Sequence, residues 1–146
     1  MFEGRLLIQS SIIICFVLIL DIKINETNFL LLDKLLENIY FRYFFSVFCL
    51  LILINGSNFI DGLNGLLLGY FSLIIYIILY LNSFLFFGFD KNIIVLLLLS
   101  LIYLFVLNIN NKLFMGDSGS YTLGLICGFF LIKLYELNDA ISPYFI

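Results

Sequence analysis

The residues best suited to chemistry lie in two short polar stretches, each set between long apolar runs. The first is Asn55-Gly56-Ser57-Asn58-Phe59-Ile60-Asp61-Gly62-Leu63-Asn64-Gly65, and the second is Phe114-Met115-Gly116-Asp117-Ser118-Gly119-Ser120. A carboxylate at the edge of a hydrocarbon layer is costly, which makes Asp61 and Asp117 functional candidates by default. The chain has no histidine. Imidazole catalysis is therefore excluded, and the available donors are carboxylate and amide oxygens, which suit a hard cation such as Mg²⁺, with Mn²⁺ as a substitute.

Within the first stretch, Asn58 and Asn64 lie three residues either side of Asp61. A helix there would put the three on one face, and Gly56, Gly62 and Gly65 would keep the rim free of bulk. A plain polar turn between helices accounts for the same residues, since Asn-Gly turns and Asp or Asn caps are common. In the second stretch Asp117 or Ser118 reads equally as the cap of the helix that follows. The same geometry exposes backbone N–H groups to a phosphate, and Phe114 offers a flat face for a base to stack on.

These stretches need elements to hold them, and the composition says which. Of 146 residues 64% are hydrophobic and only 12% charged, which predicts an all-α, polytopic membrane bundle forming a single domain over residues 1–146. The first apolar run lacks a small-residue cleavage site and equally apolar runs follow it, so it reads as a span and not a signal peptide. Five spans are expected: Leu6–Leu20, Tyr43–Ile54, Leu66–Leu81, Ile93–Leu107 and Tyr121–Leu134. Residues 21–42 are too charged to cross and are expected to lie along the interface, partly helical. Cys15, Cys49 and Cys127 sit inside apolar runs without ligand spacing and read as packing residues. A net charge of −3 gives no basic patch and no reason to expect nucleic acid.

Two spans separate the polar stretches, so both should open on one side of the membrane. The loop charges point the other way from a cytoplasmic site. Arg5 and Lys112 share the side of the polar stretches, while Lys23, Lys34, Arg42, Lys91 and Lys133 fall opposite, which the positive-inside rule would make cytoplasmic.

Taken together, the stretches resemble those of the polyprenyl-phosphate N-acetylhexosamine-1-phosphate transferases (glycosyltransferase family 4 type). The family pattern Asn-x-x-Asn-x-x-Asp-Gly-x-Asp/Asn-Gly-Leu corresponds to Asn55, Asn58, Asp61, Gly62, Asn64, Gly65 and Leu66. Its Phe-Met-Gly-Asp-x-Gly-Ser pattern corresponds to Phe114, Met115, Gly116, Asp117, Gly119 and Ser120. The likeness extends through Arg5–Gln9 and Ile141–Phe145 and is closer to the undecaprenyl-phosphate branch than to the peptidoglycan translocase branch.

The resemblance implies a membrane enzyme of the bacterial inner membrane, with cytoplasmic site loops, serving cell-wall, O-antigen lipopolysaccharide or teichoic acid synthesis. A UDP-N-acetylhexosamine would give its sugar 1-phosphate to undecaprenyl phosphate, releasing UMP. By position, Asp61 and Asp117 would be the catalytic carboxylates, with Mg²⁺ held by Asp117 and Asn58. Asn64 and Phe114 would hold the uracil, and Asn55, Gly116 and Ser118 would complete the substrate site. The resemblance covers the central-to-late part of a roughly ten-helix fold, without the family's upstream aspartate pair or its late sugar-recognition loop. The chain alone is therefore expected to be inactive, its partner being the missing half of the fold or a second copy. The rival expectation is a non-catalytic membrane protein, either a transporter-like bundle or a relic. A transport path would place polar residues at mid-span, whereas here they gather at span ends.

Overall fold

In the computed structural model, which describes residues 2–81 and 90–137, the chain forms six helices and, among the described residues, no strand. They are α1 (Phe2–Ile19), α2 (Leu30–Leu36), α3 (Ile39–Ile60), α4 (Leu66–Tyr80), α5 (Lys91–Ile109) and α6 (Gly116–Leu137). Helices α3, α5 and α6 are long and apolar enough to cross a membrane, while α4 and the apolar part of α1 are shorter. The five expected spans correspond to α1, α3, α4, α5 and α6. The sequence between the third and fourth expected spans, residues 82–92, reads as a connection; its residues 82–89 and the Ile141–Phe145 likeness lie outside the described residues, and α5 begins at Lys91.

The contacts divide the chain into two compact units, one made of residues 1–53 with 131–146, the other of residues 54–130. The first unit contains α1, α2, the start of α3 and the end of α6. Helix α1 stops at Asp21, whose φ of +49° is left-handed, and the Ile22 N–H reaches back five residues to the Val17 carbonyl at 3.0 Å. That bond satisfies one of the carbonyls a helix end leaves open. The charged segment that follows is partly helical, as expected, through α2. Ile22, Ile24 and Leu36 are buried, and several of its groups are tied to α3. The Ile24 N–H donates to the buried Ser46 hydroxyl at 2.9 Å, the Tyr43 hydroxyl donates to Asp21, and Arg42 donates to the Leu36 carbonyl and to Asn25. Helix α3 begins at Ile39, one turn before Tyr43, where Asn38 Oδ1 accepts the Tyr40 N–H at 2.9 Å.

In the second unit α4 and α5 pack side by side. Helix α4 buries Leu67, Leu68, Phe71, Ile74, Ile75 and Ile78, a helical stripe of three- and four-residue steps. Gly69 lets the ring of Phe105 approach, since a Cβ there would stand 3.1 Å from it. Outward residues such as Leu73, Tyr76, Leu96 and Leu99 are apolar as well, as a lipid-facing surface requires. Helix α3 runs on to Ile60 and α6 starts at Gly116. The expected spans ended at Ile54 and began at Tyr121, so both polar stretches are largely helical.

Candidate functional site

The site lies within the second unit, where the end of α3, the turn before α4, the end of α5 and the start of α6 meet. Its first tie runs from α6 to α3. The Ser120 hydroxyl is buried and lies 2.9 Å from Asn58 Oδ1, with the carbonyls of Gly116 and Asp117 each at 3.1 Å. One hydroxyl proton serves three acceptors, so Ser120 can donate to Asn58 or back to its own helix. Close passage of the two helices makes this possible. A Cβ on Gly124 would stand 2.8 Å from Ser57 Oγ and 3.1 Å from the Ile54 Cα.

The second tie is made by Asp61. Its side chain is only 4% exposed, and its carboxylate accepts the backbone N–H of Gly116. Gly116 opens α6 with a φ of +67°, a conformation that favours glycine. The N-terminal end of α6 thus presents its partial positive charge to Asp61. Burial nevertheless raises the Asp61 pKa above the usual carboxylate value, the Gly116 N–H works against that rise, and the charge of Asp117 adds to it.

Turn and loop are joined by three asparagines. The Gly65 N–H donates to Asn108 Oδ1, and Asn108 Nδ2 donates to the Leu113 carbonyl at 2.9 Å. Asn64 Nδ2 donates to Asn111 Oδ1. Asn111 ends α5 in the left-handed region at φ +55°, and the Lys112 N–H bonds the Leu107 carbonyl five residues back at 2.9 Å. Asparagine is the usual non-glycine choice for such a position. Gly65, at φ +79°, has no space for a side chain, since a Cβ would stand 2.8 Å from Ile109 Cγ1.

The structure therefore brings Asn58, Asp61, Gly116 and Asp117 together, with Asn55 one turn below Asn58 on α3. Asp117, Ser118 and Phe114 are exposed, Phe114 by 70%. Asn64 departs from the single-face expectation. The helix ends at Ile60, and the turn through Asp61–Gly65 carries Asn64 towards Asn111. Asn108, Asn111 and the bridging role of Ser120 were missed by sequence reasoning. The available signal was the run Asn108, Asn110, Asn111 at a predicted helix end.

The charge of Asp117 acts on Asp61, and Asn58 Oδ1 lies 2.9 Å from the hydroxyl of Ser120, three residues along α6 from Asp117. Carboxylate and amide oxygens of this kind are the donor types a hard cation takes. Among the described residues no group of three or more His, Cys, Asp or Glu side chains is assembled, so Asp61 and Asp117 carry the acidic part of this set.

A family model described as glycosyl transferase family 4 matches residues 2–135. No curated protein and no solved structure matches the chain.

Proposed function

The chain belongs to glycosyl transferase family 4, and from that membership we propose that it transfers N-acetylhexosamine 1-phosphate from a UDP-sugar to undecaprenyl phosphate. Membership supports the coarser statement, a membrane transferase that moves a sugar 1-phosphate onto a polyprenyl phosphate. The observation that carries the finer reading is the meeting of Asn58 and Asp61 with the N-terminal turn of α6 at Gly116, Asp117 and Ser120.

An oxygen of the lipid phosphate attacks the β-phosphorus of the nucleotide sugar. The bond from that phosphorus to the oxygen bridging the α-phosphate breaks, and UMP leaves with the electron pair. Mg²⁺, held by Asp117 and Asn58, would offset negative charge on the transferred and departing phosphates. Asp61, fixed by the Gly116 N–H, would support the metal or phosphate site. Phe114, exposed three residues before Asp117, would stack on uracil with Asn64 beside it, while Asn55, Gly116 and Ser118 would complete the substrate site. The site loops face the cytoplasm of a bacterial inner membrane, where nucleotide sugars are made.

Membranes of the producing cell carrying Asp117→Asn test the reading. The amide keeps the size and some capping capacity but removes the charge. Mg²⁺-dependent UMP release should fall by ~100-fold or more, as loss of a charge-stabilising group does, at near-normal protein level. A cap alone would cost about 1 kcal/mol with turnover intact, and that outcome would refute the proposal.

A further inference from the structure

The ties between turn and loop converge on one amide. Asn108 is 2% exposed at the end of α5, accepts the Gly65 N–H through Oδ1 and donates through Nδ2 to the Leu113 carbonyl. Gly65 follows Asp61 by four residues and Leu113 precedes Asp117 by four. Gly65 caps α4, its own carbonyl accepting the Gly69 N–H at 2.8 Å, while Leu113 lies in the non-helical chain just before α6. Gly65 is also held by shape, seated against Ile109 one residue beyond Asn108. The neighbouring Asn64–Asn111 bond is exposed, and an exposed amide pair exchanges readily with water. The buried amide is the firmer strut.

We propose that Asn108 is a positioning residue that fixes the separation between the Asp61 turn and the Asp117 turn without itself touching substrate. Its two arms differ chemically, so they can be cut separately. Asn108→Asp keeps an oxygen for the Gly65 N–H and loses the donor to Leu113. Asn108→Leu loses both.

The direct test is a spin-label distance between Leu63→Cys and Ser118→Cys in the full chain, with Cys15, Cys49 and Cys127 replaced by alanine. Asn110→Ala serves as control, since Asn110 bonds only a carbonyl of its own helix, that of Val106, among the described contacts. The reference and control should give one narrow distribution, Asn108→Asp a broader one and Asn108→Leu the broadest, with helical content unchanged. Narrow distributions in both variants would overturn the proposal. So would loss of helical fold in Asn108→Asp with Asn110→Ala intact, because Asn108 would then hold the fold and not the loop. A second readout rests on the transferase reading. In membranes of the producing cell, Asn108→Asp should lower kcat by ~10- to 100-fold, as a displacement on the order of 1 Å does, with KM for the nucleotide sugar little changed. If the reference membranes show no transfer, that reading fails while the spin-label result still decides the role of Asn108.

Discussion

Asp61 and Asp117 sit at the same helix start under different conditions. Asp61 is buried and anchored by the Gly116 N–H, whereas Asp117 is exposed on the first turn. Burial and the second carboxylate both disfavour the charge on Asp61. Holding two like charges together is a cost that folding alone does not require, and sites that bind cations commonly carry it. Asp61→Asn should therefore raise thermal stability in metal-free detergent by on the order of 1 kcal/mol while transferase activity is lost. The measurements are a melting curve with chelator present and UMP release from membranes. A melting temperature that falls with activity retained would mark Asp61 as a structural cap. This pair was legible in the sequence because charge in an apolar chain stands out. The asparagines that join them were not. Asn108 and Asn111 act through tertiary partners forty or more residues away, and no local pattern encodes that.

At the scale of elements, the five apolar helices could be found from apolar runs, α4 and α5 to within two residues, but the polar ends of α3 and α6 could not. Helix α3 was expected as a span to Ile54, with the polar stretch after it open to a helical and to a turn reading. It continues because Ser57 is buried where Gly124 leaves space for it, so tertiary packing overrides weak local preference. Two glycines make this testable. A Cβ at Gly124 would press on the Ile54 backbone, which cannot rotate away, and Gly124→Ala should destabilise by ~1–3 kcal/mol. Gly56 also lies within the helical register, yet a Cβ there would meet nothing within 4 Å. Gly56→Ala should stabilise by ~0.5–1 kcal/mol. Denaturation of both variants in the same detergent checks the contrast. Equal effects would mean that α3 and α6 do not pass as closely as Ser57 and Gly124 indicate.

At the scale of the whole molecule the open quantity is which way the site faces. The bonds from Ser120 to Asn58 and from Gly65 to Asn108 require both polar stretches to share one membrane side, in agreement with the two spans between them. The lysines and arginine on the opposite side remain in conflict with a cytoplasmic site. Lys23 is paired with Asp21 at 3.0 Å and Lys133 with Glu136 at 2.7 Å. Such pairs do not remove the conflict by themselves, because the positive-inside rule counts cations and gives acids little weight. Under the proposed function the substrate outweighs it, since a UDP-sugar would be drawn from the cytoplasm. Single cysteines at Leu63 and Ser118, both exposed, in a chain whose native cysteines are removed, separate these possibilities. An impermeant maleimide should leave both unmodified in intact cells and modify both once the membrane is opened. Modification of both in intact cells would place the site outside and refute the UDP-sugar reading, although the convergence of the two stretches would survive. Modification of only one would break the shared side itself, and with it the ties through Asn108 and Ser120 on which the site is built.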